Sequence, residues 1–263
     1  MEFRPCIDIH NGKVKQIVGG SLKDGGNKAR ENFVSEQPAA YYAGLYRQAG
    51  IRGGHIILLN GAESEFYEAD RKQAFEALRE YPGGLQVGGG VTAANAGEYL
   101  RAGASHVIVT SYVFQEGRIL YERLEELAAI VGKEHLVLDV SCRRCGDAYR
   151  VVTNRWQKMT EEKVDEALLE KLSGFCGEFL IHAVDVEGKS EGIEQNLVRM
   201  LGQWKGIPVT YAGGVHSYED IELLKELGNN RLHVTVGSAL ELFGGPLSWR
   251  RVQELCTQKN AAP

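Results

Sequence analysis

Val87-Gly88-Gly89-Gly90-Val91, then an amphipathic stretch, then Gly103-Ala104-Ser105-His106-Val107-Ile108-Val109-Thr110-Ser111: this wording returns half a chain later. The second copy reads Ala212-Gly213-Gly214-Val215, a helical period, Gly228, and then Val234-Thr235-Val236-Gly237-Ser238-Ala239. A further echo joins Cys6-Ile7-Asp8-Ile9 to Val137-Leu138-Asp139-Val140, each with an aspartate near the end of an apolar run. Duplication of a half-sized unit explains all of them together. Outward from these echoes, short runs rich in Val and Ile alternate with helix-period segments. Strands are expected at 3–9, 55–59, 85–87, 106–109, 136–140, 179–183, 209–212 and 233–236. Helices are expected at 37–49, 69–80, 93–101, 118–130, 163–172, 197–204, 218–227 and 247–257. Near-continuous apolar strands imply burial on both faces, as in a parallel sheet covered by helices. Eight such units in 263 residues fit an α/β protein with one (β/α)8 TIM barrel over residues 1–263, built from two duplicated half-barrels. A doubly wound sheet would place a glycine fingerprint after its first strand, and Asp8-Ile9-His10-Asn11-Gly12-Lys13 is not G-x-G-x-x-G.

Composition narrows the function. With 43% hydrophobic and 25% charged residues the chain has the balance of a globular protein, and a net charge of −5 argues against a nucleic-acid binder. Glycine is the outlier, at 32 residues beside only six prolines, so the glycines punctuate a fold. Met1-Glu2-Phe3-Arg4-Pro5 is charged at once, so no signal peptide is expected. No apolar run approaches the roughly 18 residues that span a bilayer, so no membrane partner is expected. An odd count of five cysteines suits a reducing compartment, here the cytoplasm. Cys142-Arg143-Arg144-Cys145 is formally C-x-x-C and reads as two thiols in an Arg-rich loop. A zinc site would need a second ligand pair, and the scattered histidines supply none, so no metal is expected.

In such a barrel the C-terminal strand ends and the loops after them form the active face. Glycine lets backbone N–H groups come close to a phosphate, and a helix N-terminus adds partial positive charge. Gly213, Gly214, Gly237 and Ser238, after the seventh and eighth strands, are expected to line one phosphate site. By the duplication, Gly89, Gly90, Thr110 and Ser111 line a second one opposite, so the substrate is a small molecule with a phosphate at each end. Asp8 and Asp139 stand between the two sites and can divide general-base and general-acid work. Asp185, in Ala183-Val184-Asp185-Val186-Glu187-Gly188 at the end of the sixth strand, is a third candidate, and His182 before it reads as a core or capping histidine. The loop 19–30, with Gly19 and Gly20, reads either as a flap that closes over substrate or as a disordered surface loop.

Arg4-Pro5-Cys6-Ile7-Asp8-Ile9-His10-Asn11-Gly12-Lys13, Gly88-Gly89-Gly90-Val91, Leu138-Asp139-Val140 and Ala212-Gly213-Gly214-Val215 resemble the histidine-biosynthesis barrels. Within that family the wording is most similar to the isomerases, in the form found in plants and fungi. Gln16-Ile17-Val18-Gly19-Gly20-Ser21-Leu22, Tyr81-Pro82-Gly83-Gly84-Leu85-Gln86-Val87 and Arg155-Trp156-Gln157-Lys158 carry that likeness. The resemblance covers nearly the whole chain and implies an aldose–ketose isomerase. Its reaction is an Amadori rearrangement, in which the aminoaldose of a phosphoribosyl group becomes an aminoketose by acid–base chemistry without a cofactor.

By the same resemblance Asp8 is the base that removes the C2′ proton. The acid that opens the ribose ring is Asp139 or Asp185, with Asp139 preferred. Val184 stands where relatives carry a Thr before the sixth-strand aspartate. Trp156 stacks on the imidazole carboxamide or packs a loop, and Arg143, Arg155 and Gly188 join the expected contacts. No obligate protein partner is implied, and a monomer is expected. Relatives commonly end the second strand with an acidic pair, where this chain has Leu58-Leu59-Asn60-Gly61-Ala62. The sister barrel, a cyclase fed with ammonia by a glutaminase, remains the alternative. Its barrel-interior lysine and charged ring are not evident near the strand starts. A non-catalytic phosphosugar-binding barrel would keep the glycines but has no need of Asp8 and Asp139.

Overall fold

Each of the apolar runs is a strand, and all eight lie parallel in one sheet. In the computed structural model, which describes residues 1–17, 21, 28–153, 156, 158–187, 189 and 191–258, they are β1 (Cys6–His10), β2 (Gly54–Leu58), β3 (Leu85–Gly88), β4 (Val107–Val109), β5 (Leu136–Asp139), β6 (Glu178–His182), β7 (Val209–Ala212) and β8 (His233–Thr235). Neighbours in the chain pair in sequence order from β1 to β8. The ring closes where Phe3 bridges Val234: Arg4 N–H donates to the Val234 carbonyl (2.8 Å) and Val234 N–H to that of Glu2 (3.0 Å). Regular pairing starts only at Cys6, later than the expected 3–9, because Pro5 has no N–H to give.

One helix follows each strand: α1 (Ala39–Gln48), α2 (Tyr67–Glu80), α3 (Ala96–Arg101), α4 (Tyr121–Val131), α5 (Glu166–Ser173), α6 (Gln195–Gln203), α7 (Tyr218–Leu227) and α8 (Trp249–Thr257). The architecture is therefore the expected (β/α)8 barrel. Helix starts shift where local chemistry overrides periodicity. Arg118–Ile119 pairs with Phe114–Gln115 in a ribbon turned by Glu116 (φ 49°) and Gly117 (φ 81°), so α4 starts after it. Asp165 caps α5 by accepting from Leu168 N–H (3.1 Å), so Lys163 belongs to a strand and not to the helix.

Besides the short ribbon after β4, two longer antiparallel excursions rise from the mouth among the described residues. After β1, Asn11 (φ 52°) and Gly12 (φ 75°) make a two-residue turn into the strand Lys13–Ile17, which pairs with Glu31–Val34. Asn-Gly supplies the two left-handed residues that such a hairpin requires. After β5, Cys142–Cys145, Ala148–Thr153 and Lys158–Lys163 form a three-stranded sheet. Cys142–Cys145 is thus a strand and not the expected loop, and its ends differ: Cys142 is buried, Cys145 exposed, both free.

Period-two alternation sorts the strands. Ile7, Ile9, Leu136 and Leu138 point outward into the helix layer and are fully buried. Inside the barrel, Ile108, Val137, Leu180 and Ala212 pack with Ile57 as an apolar plug. Below it, near the strand starts where the sequence shows no evident interior lysine or charged ring, lies a polar layer with charged members. Arg4 pairs with Glu178 and donates to Thr210 Oγ1 (3.1 Å), while Thr210 Oγ1 (2.7 Å) and Gln86 Nε2 (3.0 Å) donate to the same carboxylate. Arg4 also reaches Glu2 Oε2 (3.1 Å), and among the described residues no lysine takes part in these contacts. Above the plug, β1, β5 and β6 present Asp8, Asp139 and His182.

Candidate active site

The glycine pairs sit at the mouth in matching conformations. Gly89 (φ 94°) and Gly90 (φ 68°) after β3 answer Gly213 (φ 125°) and Gly214 (φ 77°) after β7. A Cβ on Gly89 would stand 2.1 Å from the Leu58 carbonyl oxygen, and one on Gly214 2.0 Å from that of Gly192. Only glycine fits either place. A cavity bounded by Gly213, Gly214, Gly237 and Ser238 opens on one side of the mouth. A second, bounded by Gly90, Thr92, Ser111, Tyr112 and Lys158, opens on the other. Lys158, unflagged in the sequence reading, comes from the third strand of the β5 excursion and brings a cation to that side.

Asp8 lies in the wall of the first cavity and accepts from Gln16 Nε2 (3.1 Å), an amide carried in by the β1 hairpin. Burial, with the charge of Glu187 beside it, raises the Asp8 carboxyl to about 7, against the opposing pull of His182 and the Gln16 hydrogen bond. Asp139 differs although it occupies the duplicate position. Burial would raise it too, but the charge and hydrogen bond of His182 and the hydroxyls of Ser141 and Thr110 outweigh that and hold it below the ordinary carboxylate value. His182 Nδ1 lies 3.1 Å from Asp139 Oδ1, and Ser141 Oγ donates to the same oxygen at 2.9 Å. Burial works against charge on His182, yet Asp139, Glu187 and Asp8 together raise it to about 9. Trp156 Nε1 donates to Ser141 Oγ (2.9 Å), and its ring centroid is 6.0 Å from that of His182. Two like carboxyls thus lie in environments that push them apart, Asp139 held as the carboxylate and Asp8 poised to exchange a proton near neutral pH.

A profile of the family described as Histidine biosynthesis protein matches residues 2–245. The chain belongs to the histidine biosynthesis protein family. A chloroplastic 1-(5-phosphoribosyl)-5-((5-phosphoribosylamino)methylideneamino)imidazole-4-carboxamide isomerase of Medicago truncatula is 52% identical over 256 residues, covering 96% of this chain and 80% of its own. Enzymes of the same name from Neurospora crassa and Saccharomyces cerevisiae are 49% and 42% identical, covering 92% and 94% of this chain and 93% and 94% of their own. Plant and fungal sources agree with the wording around residues 81–90.

Among the other residues expected from the histidine biosynthesis resemblance, Asp185 is engaged by the β5 excursion. Arg143 Nε lies 3.0 Å from its Oδ1 and Arg144 N–H donates to its Oδ2 (2.8 Å), so Arg143 and Asp185 clasp two mouth segments together. Asn60, in place of the family's acidic pair, is buried. It accepts from Asn11 N–H (2.8 Å) and donates to Asn11 Oδ1 (2.9 Å), tying the β1 turn to the β2 loop. Gly19, Gly20, Arg155 and Gly188, and most of the expected flap 19–30, lie outside the described residues. Gln16 and Glu187 carry no expected site role in the sequence, where His182 reads as a core or capping histidine. For His182 the signal was alternation, since 178, 180 and 182 share the inward face with Asp139. Cys6, Asp8 and His55 bring ligand-type atoms within 4.8 Å of one another. The Gln16 amide, donating to Cys6 Sγ (3.5 Å) and to Asp8, accounts for that cluster without an ion. His55 is depressed to about 3, first by burial and then by His182, and serves as a neutral wall.

Proposed function

We propose that this chain isomerises the imidazole-carboxamide aminoaldose to its aminoketose, the Amadori step that its relatives are named for. The observation that carries the reading is Asp8, a half-buried carboxyl in the cavity wall raised to about 7 between two glycine cradles. Gly90, Ser111 and Lys158, with Gly89 and the Thr110 backbone beside them, take one terminal phosphate, and Gly213, Gly214, Gly237 and Ser238 the other, so that the ribose to be opened lies across Asp8 and Asp139. Acid assistance at the ring oxygen opens the furanose to an iminium. Asp8 then removes the C2′ proton and the resulting enaminol collapses to the ketose. The acid comes from the Asp139 side of the mouth, since Asp185 is clasped by Arg143 and Arg144. Trp156 lies beside that group as a stacking face for the imidazole carboxamide. Every step is a proton transfer, so no metal or cofactor is invoked.

The same reading takes residues 1–263 as one domain that acts as a monomer, without a protein or nucleic-acid partner. It places the chain in the cytoplasm, in keeping with five free cysteines. Among the described residues no helix is long and apolar enough to cross a membrane. The test is to mix purified protein with the aminoaldose and follow the ultraviolet change of ketose formation without ammonia. Turnover is expected. No change without ammonia, with imidazole formation from the ketose once ammonia is added, would instead make this the cyclase.

A further inference from the structure

Asp139 is placed to act on the ribose, but it is the wrong species to give a proton. His182 Nδ1, Ser141 Oγ and the Thr110 hydroxyl converge on its carboxyl. An acidic side chain that accepts so many hydrogen bonds is held as the carboxylate and has no proton to deliver. Its neighbour has one. His182 ends β6 on the inward face, with its side chain only 14% exposed, and with Asp8 it lines the cavity at the β7–β8 cradle. Nδ1 is taken by Asp139, so Nε2 is the nitrogen the ring offers to that cavity.

We propose that His182 is the catalytic acid that protonates the ribose ring oxygen, and that Asp139 is the positioning residue that orients and charges its imidazole. This rests on the isomerase reading above. The groups around the imidazole come from four elements: Asp139 from β5, Asp8 from β1, His55 from β2 and Glu187 from the turn after β6. Three are carboxyls and favour the cation, while His55 is neutral. His182 and Asp8 line the same cavity, so the cationic acid and the base can reach one bound sugar while each keeps its own task.

The protons balance. His182 gives its Nε2 proton to the ring oxygen as the C1′–O bond breaks, while the exocyclic nitrogen lone pair forms the C1′=N bond. Asp8 takes the C2′ proton, the C2′–H pair becomes the C1′=C2′ bond, and the C=N pair returns to nitrogen. The enaminol hydroxyl then returns a proton to His182 as its oxygen becomes the ketone, and Asp8 gives its proton to C1′. Both groups finish as they began, and no co-reactant is consumed.

The test compares wild type, His182→Gln and Asp139→Asn as intact chains, reading kcat, KM and the pH profile of kcat/KM. Affinity for the open-chain ketose is measured on the same samples. Wild type is expected to lose activity on the alkaline side at about 9. His182→Gln keeps ketose affinity and KM, loses kcat by about 10²- to 10⁴-fold and loses the alkaline limb. Asp139→Asn keeps a titrating imidazole without its partner, so its alkaline limb moves down from about 9 toward 6.5. The proposal is overturned if His182→Gln stays within about threefold of wild-type kcat. It is equally overturned if the limb vanishes in Asp139→Asn while persisting in His182→Gln, because Asp139 would then be the donor itself. An inactive wild type instead sinks the isomerase reading.

Discussion

Asp8 owes its chemistry to what surrounds it. An exposed aspartate is a weak base at neutral pH because it holds a proton only below its ordinary 3.8, and burial beside Glu187 lifts this one to about 7. A base acts only when ionised, so kcat/KM should be full above that value and fall as pH drops through about 7. Rates measured from about pH 3.5 to about pH 8 check it, and a limb near 4 would mean that Asp8 is solvated or is not the base. Asp8 and Asp139 were legible in the sequence because each is a lone acid in an apolar strand and the two strands echo one another. His182 was not, since one histidine in Phe-Leu-Ile-His reads equally well as core. Only the parallel pairing of β5 with β6, with Leu180 opposite Asp139, sets it against Asp139, 43 residues away.

At the level of elements the cradles depend on backbone shape more than on side chains. Gly214 holds φ 77° with its missing Cβ directed at the Gly192 carbonyl, 2.0 Å away. Gly214→Ala must displace that loop, at a cost of about 1–3 kcal/mol in strain. The expected outcome is a lower melting temperature and a KM raised by about tenfold or more with kcat less affected, as fits a residue that shapes binding. Steady-state kinetics and a thermal melt measure both. All eight strand and helix pairs were readable, because a parallel barrel buries each strand on both faces and each helix on one. The excursions were not. Asn11-Gly12 is a strong hairpin signal, yet the strand beyond it, Lys-Val-Lys-Gln-Ile, is too polar to stand out. Lys158–Lys163 is more polar still and is held by pairing to Ala148–Thr153, so neither propensity nor burial marks it.

Across the whole molecule the two halves divide their labour while keeping one plan. Matching glycine pairs give each half a cradle and matching strands give each an aspartate, and the second half adds His182 and so makes the two aspartates unlike. The raised Asp8 carboxyl also bears on the stability of the barrel. A folded-state value of about 7 above an ordinary 3.8 means that the fold binds that proton more tightly than the unfolded chain. The stabilisation is therefore full below about 4 and lost as pH rises through about 7. Holding Asp8 ionised above about pH 7 destabilises the barrel, and a neutral amide there should melt no lower than wild type. The most direct measurement is accordingly kcat for Asp8→Asn beside its affinity for the open-chain ketose. The account predicts a loss of about 10³-fold or more in kcat with affinity within about threefold and an undiminished melting temperature. A kcat within about tenfold of wild type would contradict it.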